Sequence, residues 1–214
     1  MFIELVETLR CPTPHEESWL VLAADRITAR HVVAGTVGCP VCKAEFPIRE
    51  GVVDFRRGPH APTTPTQPAD AEQAMRLAAF LGLDDALGYA LLMGEWGAHA
   101  LALRGLVECP LILCDPPADV EAAPGLSILR TDGPVPLAAG SARATALDPG
   151  RSEGAEERIA SAVRATRVKG RMVSRATLGI PDGVREIARD EREWVAEREP
   201  APSPLVTLRT RRGG

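Results

Sequence analysis

Aromatic residues are scarce. Phe, Tyr and Trp together make up 4% of the 214 residues, so a core has to be assembled from Ala, Leu, Val and Ile. Positive charge is not in excess either. The chain carries 25 basic and 29 acidic residues, a formal net charge of −4, which disfavours a strongly basic nucleic-acid binder and a polyacidic tail protein alike. Lysine is nearly absent, occurring only as Lys43 and Lys169. Apolar runs reach about six residues, far short of the ~20 that cross a bilayer. The opening residues Met1–Glu7 lack the positive region of a secretory signal. Gly and Pro are abundant at 19 each, yet remain below the ~25–30% that marks disorder. These absences leave a soluble, cytoplasmic, loop-rich globular protein as the expectation.

The five cysteines, Cys11, Cys39, Cys42, Cys109 and Cys114, are odd in number, which argues against a disulfide framework. Three of them fall in the first 42 residues. Cys39-Pro40-Val41-Cys42 is a C-x-x-C knuckle whose loop points two sulfurs at one metal. Cys11-Pro12-Thr13-Pro14-His15 supplies a thiol and an imidazole in a proline-restrained turn. Between them, Ser18–Leu22 and His31–Gly35 read as a hairpin that returns the first turn to the second. The predicted metal ligands are therefore Cys11, His15, Cys39 and Cys42, with His31 or water as alternatives to His15. Four protein donors with no open position describe a structural zinc site. Cys109 and Cys114 flank a strand and read as buried small hydrophobes.

The pattern Leu9-Arg10-Cys11-Pro12, Gly38-Cys39-Pro40-Val41-Cys42 and Phe46-Pro47-Ile48-Arg49-Glu50-Gly51-Val52 resembles the small zinc-ribbon family that activates methyltransferases acting on tRNA and translation factors. The same ribbon occurs fused to the front of some bacterial methyltransferases. The resemblance covers about residues 2–56. It implies a small β-rich zinc ribbon over residues 1–56 and a protein partner met through that ribbon. The family's second knuckle cysteine is replaced here by Pro14, with His15 one place later.

Residues 57–69 are rich in Pro and Thr and read as an extended linker; His60 within them reads as solvated. From residue 70 to 214, helical and apolar segments alternate. Asp70-Ala71-Glu72-Gln73 opens a helix that Gly82 closes. Tyr89–Met93, Leu111–Cys114, Leu126–Leu129 and Ala144–Leu147 read as strands, and Ala98–Arg104 as a helix. Glu153–Arg167 is the clearest helix, with Ile159, Ala162, Val163 and Thr166 on one face. Gly170–Val173 opens a fifth strand, a short helix runs from Pro181 toward Ile187, and Glu193–Ala196 with Leu205–Leu208 form a closing pair. Strands buried on both faces and separated by helices imply an α/β fold: a Rossmann-like, mostly parallel sheet.

That order resembles the class I S-adenosylmethionine methyltransferases. The resemblance implies an S-adenosylmethionine site with Gly94 and Gly97 in the glycine loop, Asp115 on the ribose and Asp132 on the adenine side. Lys169-Gly170-Arg171 matches the turn at the fifth strand. The glycine loop keeps only G-x-x-G, Leu92 and Met93 stand at the acidic position, and Trp96 puts bulk where backbone should approach the cofactor. No Ser-His-Asp order, H-E-x-x-H, P-loop or pair of catalytic carboxylates is found, and no catalytic residue is assigned. Methyl transfer needs little acid–base help, because the sulfonium is already a strong electrophile. The leading expectation is thus a degenerate methyltransferase: a binding or scaffold protein with a structural zinc ribbon. An active methyltransferase using Gly94, Gly97, Asp115 and Asp132 is the alternative. A nucleic-acid role is a further alternative, resting on residues 151–214, which hold 14 of the 25 basic residues against 10 acidic ones and end in Arg209, Arg211 and Arg212.

Overall fold

The computed structural model describes residues 1–57, 70–84, 86–150 and 154–200. A 3₁₀ turn, Ile3–Glu7, leads into a four-strand antiparallel meander of β1 (Val21–Thr28), β2 (His31–Gly38), β3 (Glu45–Arg49) and β4 (Val52–Asp54). Both residues of the β1–β2 turn, Ala29 and Arg30, have positive φ (47° and 64°), the hairpin geometry that suits strand twist. Helix α1 (Ala71–Leu81) begins at Asp70, whose carboxylate accepts the Gln73 N–H at 2.8 Å, and ends at Gly82 with φ 63°. The chain then runs through β5 (Tyr89–Met93), a 3₁₀ turn (Gly94–His99), α2 (Ala100–Arg104), β6 (Leu111–Cys114), β7 (Leu126–Arg130), β8 (Ala142–Ala146) and α3 (Ala155–Ala165). It continues through β9 (Thr166–Arg175), β10 (Val184–Arg189) and β11 (Glu193–Arg198).

The eleven strands among the described residues form one sheet in the order β1-β2-β3-β4-β7-β6-β5-β8-β9-β11-β10. From β4 to β9 neighbours are parallel, and β11 lies antiparallel between β9 and β10. The fold is α/β and Rossmann-like, with β7-β6-β5-β8-β9 reproducing the first five places of the doubly wound order.

The central strands bury alternate residues on opposite faces, as the strand period requires. Ala90, Leu92, Leu111, Leu113 and Ile128 pack against Ala74, Leu77 and Leu81 of α1 and Leu103 of α2. Leu91, Met93, Ile112, Cys114 and Leu129 face the other way. On that side, no helix occurs among the described residues in the connection from β7 to β8, which buries Val135 and Leu137 there. The N-terminal segment takes part in the cover instead. Met1, Leu5 and Leu9 are buried in the same apolar cluster as Leu91, Met93 and Leu129, together with Phe46, Ile48 and Phe55 from the meander. Leu9 also bridges to Leu137 in the β7–β8 connection. The ribbon region and the rest of the chain therefore share one sheet, through β4 and β7, and one core face.

Three details differ from expectation. The segment after Pro181 is not a helix but the entry to β10. This edge strand buries only Val184, so its own side chains carry little strand signal and the ladder to β11 decides its conformation. Glu193–Arg198 pairs with β9 and β10; Leu205–Leu208, expected as its partner, falls outside the described residues, as do His60 and the terminal arginines. In α3 the buried stripe is Arg158, Ser161, Ala162 and Ala165, turned by one residue from the apolar reading because Arg158 is drawn inward by a carboxylate.

Candidate functional site

Two groups of polar side chains stand out. The first is the cysteine cluster. Arg10 bridges to Trp19 and the Cys11 N–H donates to the Ser18 carbonyl at 3.0 Å, which anchors the first turn to the chain entering β1. The second turn follows β2: the Cys39 N–H donates to Ala44 O at 2.9 Å, Lys43 N–H returns to Cys39 O at 3.0 Å, and Lys43 takes a left-handed φ of 62°. Cys11 Sγ lies 3.7 Å from Cys42 Sγ, and Cys39 Sγ lies 3.4 Å from His15 Nε2. All four donor atoms lie within 4.8 Å of one another. Tetrahedral zinc with Zn–S about 2.3 Å and Zn–N about 2.0–2.1 Å sets S···S near ~3.8 Å and S···N near ~3.5 Å. The donor set thus fits a metal ion. His31, the alternative fourth donor, is elsewhere: its ring packs on Phe2 at 4.5 Å and its Nδ1 lies 2.9 Å from Ala29 O.

Electrostatics suit the cluster to a cation. Burial opposes charge on Cys39, but the backbone N–H groups of Cys42 and Val41, with the neighbouring thiols, outweigh it and hold the thiol at about 6. The Ala44 N–H holds the Cys42 thiol below its ordinary range. Burial pushes the Cys11 thiol up. The Glu16 carbonyl contacts His15 Nδ1 and raises its basicity. With Nδ1–H donated there, Nε2 keeps its lone pair for a metal, the usual outer-contact arrangement of a histidine ligand.

The second group lines a cleft of about 520 Å³ at the carboxyl ends of β5, β6, β8 and β9. This is the switch point of the sheet, where connections leave β5 and β8 in opposite directions and where open α/β sheets bind ligands. Gly94 and Asp115 line it; Gly97 and Asp132 are not among its lining residues. Gly94 has φ 55°, and a Cβ there would strike the Asp148 carboxylate. Asp148 also accepts the Glu95 N–H at 2.9 Å and the Gly150 N–H at 3.0 Å. A Cβ on Gly97 would meet Pro116 Cβ at 2.5 Å, so this glycine admits the Pro116-Pro117 turn. Asp132 accepts the Arg57 N–H at 3.2 Å on a different surface, beside Pro12 and Pro134.

Asp115 has a positive φ of 51° and is fully engaged. One oxygen accepts the Thr131 N–H at 2.9 Å, and the other pairs with Arg158 Nη2 at 2.7 Å. Arg158 is 6% exposed and also donates to Thr131 O at 2.9 Å. Trp96 is 2% exposed and forms a wall of the cleft without filling it: its Nε1 donates to Leu147 O at 3.2 Å, and the Arg175 guanidinium lies 4.5 Å over its ring. Ser174 Oγ donates to the same carbonyl at 2.6 Å. Lys169-Gly170-Arg171 lies inside β9, where the register against β8 slips, rather than at its start.

Sequence reading passed over Asp148, Arg158 and Arg175. Asp148 follows β8 much as Asp115 follows β6, and a carboxylate just past a parallel strand was the available signal. Arg158 carried no such signal, because a single arginine on an amphipathic helix reads as solvated.

No protein-family model matches the chain, and no curated protein matches it in sequence. Solved structures do resemble it. A Methanococcus maripaludis protein provisionally described as an S-adenosyl-L-methionine-dependent methyltransferase aligns over 64% of this chain and 87% of its own, at 11% identity and a TM-score of 0.46. An Escherichia coli protein provisionally described as a methyltransferase aligns over 64% and 91%, at 13% identity and a TM-score of 0.42. The Thermus thermophilus 16S rRNA N2 G1207 methyltransferase, solved with AdoMet and guanosine, aligns over 97% of this chain at 15% identity and a TM-score of 0.32. The chain spans about half the length of that enzyme, 49%.

Proposed function

We propose that this protein is a methyltransferase-fold scaffold whose cofactor cradle has been rebuilt with internal contacts, and that it carries a structural zinc ion in its N-terminal ribbon. The carrying observation is the state of Asp115. Both of its oxygens already accept a bond, one from Arg158 and one from Thr131, so a ribose diol would have to compete with a half-buried ion pair for the remaining lone pairs. The glycine turn supports the same reading, since Asp148 sits against Gly94 and takes the Glu95 N–H, a backbone donor that the turn would otherwise offer a ligand. Leaving the charged end of a cofactor unpartnered costs several kcal/mol of affinity. Titration calorimetry with S-adenosylmethionine tests this directly: no heat is expected at millimolar ligand, and micromolar binding would overturn the scaffold reading in favour of an active enzyme. The open cleft is the one feature that speaks for that second reading.

Zinc is proposed for the cluster because three thiols and an imidazole match its ligand preference, and with four protein donors it leaves no position for catalysis. Elemental analysis of the purified protein should return one zinc per chain. A protein partner at the ribbon is supported by large apolar side chains near the cluster, among them Trp19, Val21 and Val41, which are 59%, 63% and 57% exposed. Loss of that partner on Trp19→Ser, with the fold unchanged by circular dichroism, is the expected result; unchanged association would remove the ribbon from the interface.

A further inference from the structure

Beyond the main cleft, on the other side of the Trp96–Arg175 stack, lies a separate pocket of about 120 Å³, room for about four waters. Its floor is Trp96 and His99, which are 2% and 8% exposed. The guanidinium-bearing residues Arg76, Arg175 and Arg192 and the carboxylate-bearing Glu193 stand around it. Glu193 is shared: it pairs with Arg76 at 3.2 Å and with Arg175 at 3.3 Å. Asp190 takes a second ion pair from Arg76. Arg192 has no side-chain ion pair or hydrogen bond among the described residues; its backbone N–H donates to Asp190 at 2.8 Å and its carbonyl accepts the Ala176 N–H at 2.7 Å. His99 Nδ1 is buried with no hydrogen-bond partner.

We infer that this pocket is an oxyanion site, taking a phosphate or carboxylate head group on Arg192, Arg175 and His99. Three features converge. A buried ring nitrogen without a partner is destabilising, a cost that a ligand hydrogen bond removes. An arginine with no partner supplies the planar donor fork that recognises oxyanions. The Trp96 wall and the closed floor exclude water from one side, which strengthens each charge-assisted contact. The pocket shares Trp96 and Arg175 with the main cleft, so an anion bound here rests against the wall that also bounds the cleft. The inference does not depend on whether the cleft holds S-adenosylmethionine.

The test is a titration of the full-length, metal-loaded, ¹⁵N-labelled protein with inorganic phosphate, and separately with acetate, at constant pH and ionic strength. The His99 ring resonances are followed, assigned by their loss in His99→Gln. A saturable shift with a millimolar half-point is expected, moving about tenfold or more to weaker affinity in Arg192→Gln. Saturation by phosphate, by acetate or by both supports the site and ranks the head groups. No saturation with either anion, as for a pocket that holds only water, overturns it. So does an unchanged half-point in Arg192→Gln, whose exposed side chain contributes no ion pair to the fold.

Discussion

The cysteine cluster and the sheet cleft are opposite solutions to holding polar atoms together. At the cluster, three thiols and an imidazole converge within 4.8 Å, and the backbone groups around them orient and stabilise the donors rather than occupy the space between them. Despite burial, the Cys39 thiol is held at about 6, and the Cys42 thiol below its ordinary range, by backbone N–H groups. At the cleft, the polar atoms at the strand ends are already matched: Asp115 with Arg158 and Thr131, Asp148 with two backbone N–H groups, Leu147 O with Trp96 and Ser174. Lone pairs that converge on one point are completed by a cation, whereas polar atoms matched across a cleft have less left to offer a ligand. The difference teaches that pocket volume is a weaker sign of binding than unsatisfied bonding capacity.

The comparison breaks most severely at the metal. Structural zinc supplies roughly 10–16 kcal/mol in small modules, so if the cluster holds the zinc proposed above, Cys39→Ala should abolish metal binding and melt the meander. Because β4 pairs with β7 and Leu5 and Leu9 share the sheet's core, the midpoint of the whole protein should fall with it. Metal stoichiometry and a thermal melt, with and without chelator, measure both. A metal-free variant with an unchanged melt would detach the ribbon from the stability of the sheet.

Next in size is the internal pair at the cleft. Arg158→Ala removes the ion-pair partner of the partly buried Asp115, a loss of about 3 kcal/mol in denaturant unfolding. Replacing both partners, Arg158→Met with Asp115→Leu, should recover most of that loss, because well-packed apolar atoms avoid the desolvation of both charges. A double variant as unstable as the single one would mean that the pair does more than fill space.

Leu9→Ala should cost about 2–5 kcal/mol. More telling than its size is its reach. Unfolding followed at Trp19 in the ribbon region and at Trp194 in the sheet should shift together in urea. Separate transitions would show two independently stable units.

The smallest effect concerns pH. Burial, then Arg175, lowers the His99 pKa below its ordinary 6.5, against smaller opposing contributions from Glu193 and Asp70. The unfolded chain therefore binds the proton first as pH falls. His99 contributes stability that is fully present above pH 6.5 and is lost as pH drops through its lower folded value. The slope of stability against pH below 6.5 should be shallower in His99→Gln than in the wild type, with carboxylate contributions common to both.

Much of this was legible residue by residue. The C-x-x-C knuckle and the Cys11 turn pointed to a metal cluster because sulfur at that spacing has few other uses. Asp70 and Gly82 marked the ends of α1 because capping is local chemistry. The runs Tyr89–Met93 and Leu111–Cys114 read as strands because both faces of a central parallel strand are buried. What escaped reading was non-local. β10 has one buried residue and is a strand only because β11 lies beside it. Arg158 looked like a surface charge until a carboxylate 43 positions away drew it inside. Asp132, placed by resemblance on the adenine side, instead caps the Arg57 backbone away from the cleft.

By itself the amino-acid order determined the periodicities, the caps and the set of sulfur donors, since these depend on side-chain type and on spacing within a turn or two. Only the tertiary structure decided that the ribbon extends the sheet, that the N-terminal segment helps cover its open face, and that Asp115 is spent on Arg158. Those outcomes depend on which distant atoms are left unsatisfied once every strand has found its neighbour, and no local pattern carries that information.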